Sequence, residues 1–271
     1  MNKVIEQLMR TVVQAPSGDN TQAWRFEVDS RAKRVDCYVD ESRDISPMNV
    51  GQRMSRIAVG AAVENFLQTA ERAGWTVRQL APSASALATL AWEGDLPENL
   101  REVPPEIFQR VTNRRPYGDR PVADETLDEL RRRTPEIAGV TTHWIANRDQ
   151  ITAWAEIISE ADARMFGEPS MRAAFLSKVR FDAPVTAEVD QGLCLASLEI
   201  SAPQRTALRL MRIMPDWLRK LGGARRVFAA AARKLVTHSA GLCVVAAPDE
   251  SHASDLLVGR AMQRAWLALA A

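Results

Sequence analysis

A short segment occurs twice in this chain, far apart, and each copy opens a long alanine-rich helical stretch. Val59-Gly60-Ala61-Ala62-Val63-Glu64-Asn65 resembles Val258-Gly259-Arg260-Ala261-Met262-Gln263-Arg264. A second match runs in the same order. In the first half a helix is followed by Ala15-Pro16, a short loop and a strand around Trp24. In the second half a helix is followed by Thr134-Pro135, a short loop and a strand around Trp144. Two matches in one order point to duplication of a single α+β unit. The first copy continues through Ala73-Gly74-Trp75 into a strand, with Gly74 as helix stop. The second copy reaches Ala271 within its helix. Its C-terminus is therefore expected to be truncated, with a strand or tail missing or supplied by another chain.

Hydrophobic periodicity places the elements. The spacing predicts a helix over residues 2–14, broken at Ala15-Pro16-Ser17-Gly18. Strands follow at 24–28 and 35–39 around a turn at 30–33, then a long helix over 54–73, and strands at 75–80 and 87–92. Leu96 to Pro105 is polar and proline-rich and reads as a linker. The first unit thus spans residues 1–95 and the second 105–271. The second contains a short helix from Pro105, a helix from Pro121 to Arg133 that Asp124 would cap, and a strand at 140–146. Helices at 149–165 and 171–179, a strand at 242–247 and a helix from Ser254 complete it. The expected fold class is α+β, with mixed or antiparallel sheets flanked by helices.

Composition excludes several classes. The chain has 271 residues, 46% of them apolar, ample for a core. Lys and Arg total 35 against 34 for Asp and Glu, so the global balance indicates no nucleic-acid partner. Cys37, Cys194 and Cys243 form no CxxC, and His143, His238 and His252 show no HxxxH spacing. Neither a disulfide scaffold nor a metal site is expected, and the cysteine usage fits a reducing cytoplasm. No apolar stretch is long enough to span a bilayer. No Ser-His-Asp or Cys-His pattern marks a catalytic nucleophile.

Two motifs carry chemistry. Ala15-Pro16-Ser17-Gly18-Asp19-Asn20-Thr21-Gln22-Ala23-Trp24-Arg25-Phe26 concentrates a hydroxyl and side-chain amides in a loop before a strand. Ser17, Asn20 and Gln22 could serve the polar edge of a bound ring, and Gly18 lets backbone N–H groups come close. The same residues also suit a simple turn. Arg110-Val111-Thr112-Asn113-Arg114-Arg115-Pro116-Tyr117 supplies guanidinium groups of the kind a phosphate binds through charge-assisted, bidentate bonds. Its plain alternative is a solvated basic turn before a helix.

The first motif resembles the "APSxxNxQPWxF" loop of the nitroreductase family, with Ala23 where that family usually has proline. The second resembles the family's "RRSxRxF" start, with Asn113 in the serine position, Arg115 in the second arginine position and Tyr117 in the aromatic one. Val111 and Thr112 stand where two basic residues occur in the family, so Arg110 or Arg114 would substitute. Pro121-Val122 extends the match. Loop and arginine motif lie in different halves, which resembles the two-repeat, Acg-like branch in which one chain mimics the dimer. The resemblance covers roughly residues 1–147 and 240–271. It implies a nitroreductase-like fold in which two degenerate repeats form a pseudo-dimer, as a monomer or a homodimer. It implies one FMN per chain, held by Ser17, Gly18, Asn20, Gln22, Arg110, Asn113, Arg114 and Arg115. No side chain need act as a catalyst. Gln263 and Arg264 sit where the family's central helix approaches the cofactor, a weak indication of contact.

The segment 203–236 carries nine basic residues, from Arg205 to Lys234, against one acid, Asp216. Apolar residues are interleaved, which reads as two amphipathic basic helices broken at Pro215 and Gly222-Gly223. A lid over the pocket is the first reading, a membrane-surface helix the second and nucleic-acid binding the third. The resemblance makes the chain an FMN-binding oxidoreductase that uses NAD(P)H to reduce nitroaromatic, quinone or similar small-molecule acceptors. The alternatives are a flavin-binding storage or sensing protein without turnover, and a cofactor-free interaction protein.

Overall fold

The computed structural model describes residues 3–83, 85–95, 99–100, 102–118, 120–184, 191–214 and 223–271. The chain is α+β, with two antiparallel sheets and one short parallel strand pair. In order, α1 spans Lys3–Val12, β1 Trp24–Asp29, β2 Arg34–Val39, α2 Arg53–Arg72, β3 Val77–Leu80 and β4 Ala88–Trp92. Then come α3 Glu106–Gln109, α4 Asp124–Arg133, β5 Thr141–Ile145, α5 Arg148–Gly167 and α6 Pro169–Lys178. A two-residue pair, β6 Val179–Arg180 and β7 Leu193–Cys194, precedes α7 Ala202–Ile213, α8 Ala224–Thr237, β8 Leu242–Ala246 and α9 His252–Ala270. No helix among the described residues is long and apolar enough to cross a membrane. Of the expected breaks in the basic segment, Pro215 and Gly222 lie outside the described residues.

Local chemistry explains the main boundaries. The β1–β2 turn closes because Asp29 Oδ1 accepts the N–H groups of Arg31 at 3.0 Å and Ala32 at 2.9 Å. Helix α2 ends in a Schellman motif: Trp75 N–H donates to the Ala70 carbonyl at 2.8 Å and Gly74 N–H to that of Glu71 at 2.9 Å. Gly74 takes the left-handed φ of 75° that this stop requires. Helix α9 begins where Ser251 Oγ accepts the Ser254 N–H at 3.1 Å. The hydroxyl of Ser254 and the Ser251 N–H in turn hold Asp249, whose carboxyl is pulled down to about 2. Asp124 does not cap α4. The N-cap is Ala123, and Asp124 lies in the first helical turn beside Glu125, where both favour the helix dipole.

The first sheet runs β1-β2-β4-β3, all antiparallel, and β5 pairs antiparallel with β8. The β1–β2 and β5–β8 pairs thus occupy corresponding places before the two long helices. Residues 146–241 are inserted between the paired strands of the second half. The core joins α1, α2, the first sheet and Leu256 of α9, with Ile5, Leu8, Val35, Phe66 and Leu90 wholly buried. Burying each such side chain contributes about 1.5–3 kcal/mol. The insertion has its own apolar cluster around Leu176, Phe181, Leu195 and Leu208, and Phe166 of α5 stacks on Phe228 of α8 at 3.8 Å.

The repeated segment forms the contact between α2 and α9. A Cβ at Gly60 would collide with the Leu256 carbonyl oxygen, and one at Gly259 with that of Ile57. The contact is reciprocal, since Gly60 aligns with Gly259 and Ile57 with Leu256 in the repeat. Polar groups flank the crossing. Buried Asp255 pairs with Arg56 at 2.7 Å and Arg53 at 2.9 Å. Buried Glu64 pairs with Arg264 at 2.7 Å and Arg260 at 3.2 Å. Gln263 Nε2 donates to Asn65 Oδ1 at 2.8 Å, and Asn65 Nδ2 donates to the Thr11 carbonyl at 2.9 Å, which adds α1 to the assembly. Gln263 and Arg264 are therefore engaged in helix packing.

Gly60→Ala and Gly259→Ala should each destabilise the chain by about 1–3 kcal/mol, because a methyl group meets backbone that cannot turn aside. Gly118→Ala, with open space around the added carbon, should be close to neutral. Urea midpoints of the three variants check this; equal midpoints would mean that the helices do not cross at these glycines.

Candidate functional site

The loop after α1 and the stretch after α3 lie far apart in sequence, yet they line one hollow of about 730 Å³. From the loop come Ala15, Pro16, Ser17 and Asn20, and from the stretch Arg110, Val111, Thr112, Arg114 and Arg115. A third wall, Gly192 to Glu199, belongs to the insertion. Five of the eight sequence-selected residues thus face the hollow: Ser17, Asn20, Arg110, Arg114 and Arg115. The other three support it. Gly18 makes room for Met54, whose Cε a Cβ at that position would strike. The Gln22 N–H donates to Ser17 Oγ at 3.0 Å, and Gln22 Nε2 to Asn20 Oδ1 at 3.4 Å. Asn113 Oδ1 accepts the Arg115 N–H at 3.1 Å and Nδ2 donates to the Arg115 carbonyl at 3.3 Å, which bends the arginine stretch.

The third wall was not evident in the sequence. Asn20 fastens it: Nδ2 donates to the Gly192 carbonyl at 3.2 Å, and Gly192 N–H donates to the Asn20 carbonyl at 3.4 Å. Gly192 has φ 88°, and a Cβ there would run into the Lys178 carbonyl, so glycine is required twice over. Lys178 adds an ion pair to Asp44 at 3.7 Å. Glu199 then binds both neighbouring arginines. Its Oε1 lies 3.0 Å from Arg115 Nε, and its Oε2 accepts the Arg114 N–H at 2.8 Å. Arg114 Nη1 also donates to the Ser197 carbonyl at 3.1 Å. The only hint in sequence was that Glu199 is the lone acid between Gln191 and Met214, just ahead of the basic run.

Charge at the hollow is positive and partly unanswered. Three guanidinium groups and one carboxylate line it, a formal charge of +2. The Arg115 side chain is 73% exposed, so most of its donors face solvent. Arg110 is different. Nη2 donates to the Gln14 carbonyl at 3.1 Å, while Nε and Nη1 are covered and have no hydrogen-bond partner. Burial pushes its pKa down. Its guanidinium lies 4.5 Å from the Trp266 ring centroid, a cation–π contact that offsets part of that cost. Burial, and then the Asp44 carboxylate, push the pKa of Asp19 up, while Lys178 and Arg114 pull it back.

Backbone strain gathers at the same place. Six non-glycine residues among those described have positive φ, and four of them are Asp19, Asn20, Gln22 and Glu199. Each left-handed residue costs on the order of 1–3 kcal/mol, and such conformations concentrate at binding sites and switches. The basic helices α7 and α8 follow directly on the third wall. Arg205, Arg209, Arg225 and Arg226 on them are exposed, while Arg212 lies 5.1 Å over the Phe181 ring and Arg233 pairs with Glu156. The chain matches no protein-family model and no curated protein at a significant level.

Two cysteines have no thiolate at neutral pH. Burial, and then the nearby Asp36 carboxylate, push the Cys37 thiol up to about 12, and burial pushes Cys243 up to about 11. Their ordinary value is 9.0. The unfolded chain therefore loses these protons first as pH rises. The stabilisation is fully present below pH 9.0 and declines as pH climbs towards 11–12. Between pH 9 and 11 the unaltered chain should lose stability more steeply than Cys37→Ala. Parallel urea-midpoint profiles for the two would refute the shift.

Proposed function

We propose that the chain binds FMN in the polar hollow and uses it to pass electrons from NADH or NADPH to a nitroaromatic, quinone or similar acceptor. The observation that carries this reading is the convergence of the Ser17–Asn20 loop and the Arg110–Arg115 stretch on one space. The volume is within the range of about 300–1,000 Å³ typical of small-molecule sites. The lining charge of +2 suits a phosphate dianion, and the strained loop is of the kind that binding sites retain. In this reading the two halves are degenerate nitroreductase-like repeats in a pseudo-dimer, with the reciprocal glycine crossing at its centre.

The residues divide the work. Arg115 and Arg114 hold the phosphate, and when no anion is bound Glu199 pairs with the Arg115 guanidinium and accepts the Arg114 backbone N–H. Ser17 Oγ accepts the Gln22 N–H and keeps its O–H proton and a second lone pair for the ring. Asn20 positions the third wall through Gly192. The apolar side chain of Leu193 gives that wall a surface for a ring face. When bound, the flavin accepts and donates the hydride, so the protein needs only to orient it.

Purified protein, or protein soaked in FMN and desalted, is expected to show visible flavin absorbance and to oxidise a nicotinamide when an acceptor is present. Arg115→Ala removes a charge-assisted contact worth about 1.5–3 kcal/mol, so FMN affinity should fall on the order of 10- to 100-fold. Glu199→Gln, which removes the competing carboxylate, should hold FMN at least as tightly. Equal retention in Arg115→Ala would reject the phosphate assignment, and a chain that takes up no FMN would reject the whole reading. Bound flavin without nicotinamide oxidation would assign storage or sensing instead.

A further inference from the structure

A second cavity of about 560 Å³ lies on the other side of Arg110. Leu127 and Leu130 of α4, Trp144 of β5 and Trp266 near the end of α9 form its apolar walls. It shares only Arg110 and Val111 with the polar hollow. Arg110 is the one charged residue among its described lining, and no carboxylate faces it there.

That combination is chemically specific. A mostly apolar space of this size is a common form of small-molecule site. Arg110 is half-buried, and guanidinium donors that are covered without an acceptor carry a desolvation cost. The Arg110 Nε and Nη1 donors are covered and unpartnered, and among the described residues the guanidinium is met by the Trp266 ring and the Gln14 carbonyl. A ligand carboxylate would supply the missing charge and hydrogen-bond acceptors, reached by a small turn of the flexible arginine stem. A neutral ligand would leave the guanidinium as it is. A dianion would meet a single cation among tryptophans and leucines, with its second charge desolvated.

We propose that this cavity binds an apolar monoanion: a small aryl or alkyl carboxylate with its hydrocarbon body against Trp144 and Trp266 and its carboxylate facing Arg110. The site goes beyond the flavin reading and does not depend on it.

The test uses the full chain and a pair of ligands that differ in charge, 4-phenylbutyrate and 4-phenyl-1-butanol, titrated by calorimetry. The acid is expected to bind at least tenfold more tightly than the alcohol. Arg110→Gln should bring the two to within about threefold of each other. Ala270→Trp, which places bulk on the cavity wall at the last turn of α9, should weaken both. Equal affinities for acid and alcohol, no binding of either, or acid binding unchanged in both variants would overturn the proposal. If Arg110→Gln fails to fold by circular dichroism, the acid-to-alcohol ratio of the unaltered chain and the Ala270→Trp result decide it. FMN retention is read separately by absorbance, so failure of the flavin reading leaves these outcomes unaffected.

Discussion

The close approach of α2 and α9 sets the positions of the other parts. Two glycines let the helix backbones touch, so no side chain separates them at the crossing. The helices are then locked by charges buried on either side: Asp255 with two arginines of α2, and Glu64 with two of α9. A buried pair adds little net stability compared with apolar packing, but removing one partner strands the others. These groups therefore fix the angle and register of the crossing more than its strength. The start of α2 brings Met54 beneath the Gly18 loop, and the end of α9 brings Trp266 beneath Arg110. The distance across the polar hollow is thus an outcome of a contact made well away from it.

Bonds between distant parts of the chain hold the hollow together. Asn20 and Gly192 exchange backbone and side-chain hydrogen bonds, and Glu199 joins the arginine stretch to the third wall. Left-handed residues occur on both sides of these joints. Strain, unanswered positive charge and convergence of three segments are independent observations, and they coincide at one place.

Much of the fold could be read from the sequence because its signals are local. Helical periodicity located α1, α2, α5 and α9 to within a few residues, and Gly74 marked its stop through a geometry that needs only neighbouring atoms. The similarity of the segments around Gly60 and Gly259 was visible too, although the sequence could not say that these glycines touch each other. Ser17, Asn20 and the arginines were selected by residue type and order. Gly18 was selected for backbone access to a ligand, and the structure adds the Met54 thioether packed against the same position. The third wall was illegible because Gly192 and Glu199 matter through partners more than 80 residues away, and nothing in their own surroundings announces them. Asp124 failed as a cap because the helix starts at that residue, a one-position difference that propensity does not resolve.

The two halves also differ in how their paired strands must find each other. Strands β1 and β2 are separated by the tight turn at residues 30–33, whereas β5 and β8 pair only after the whole of residues 146–241 has been traversed. Loop-closure entropy makes the second pairing about 3 kcal/mol more costly to initiate. The inserted helices close that gap by packing on one another, with Phe166 stacked on Phe228. Strand pairing in the amino-terminal half is local, whereas the apolar cavity lined by α4, β5, β8 and α9 exists only where that long-range closure has been made.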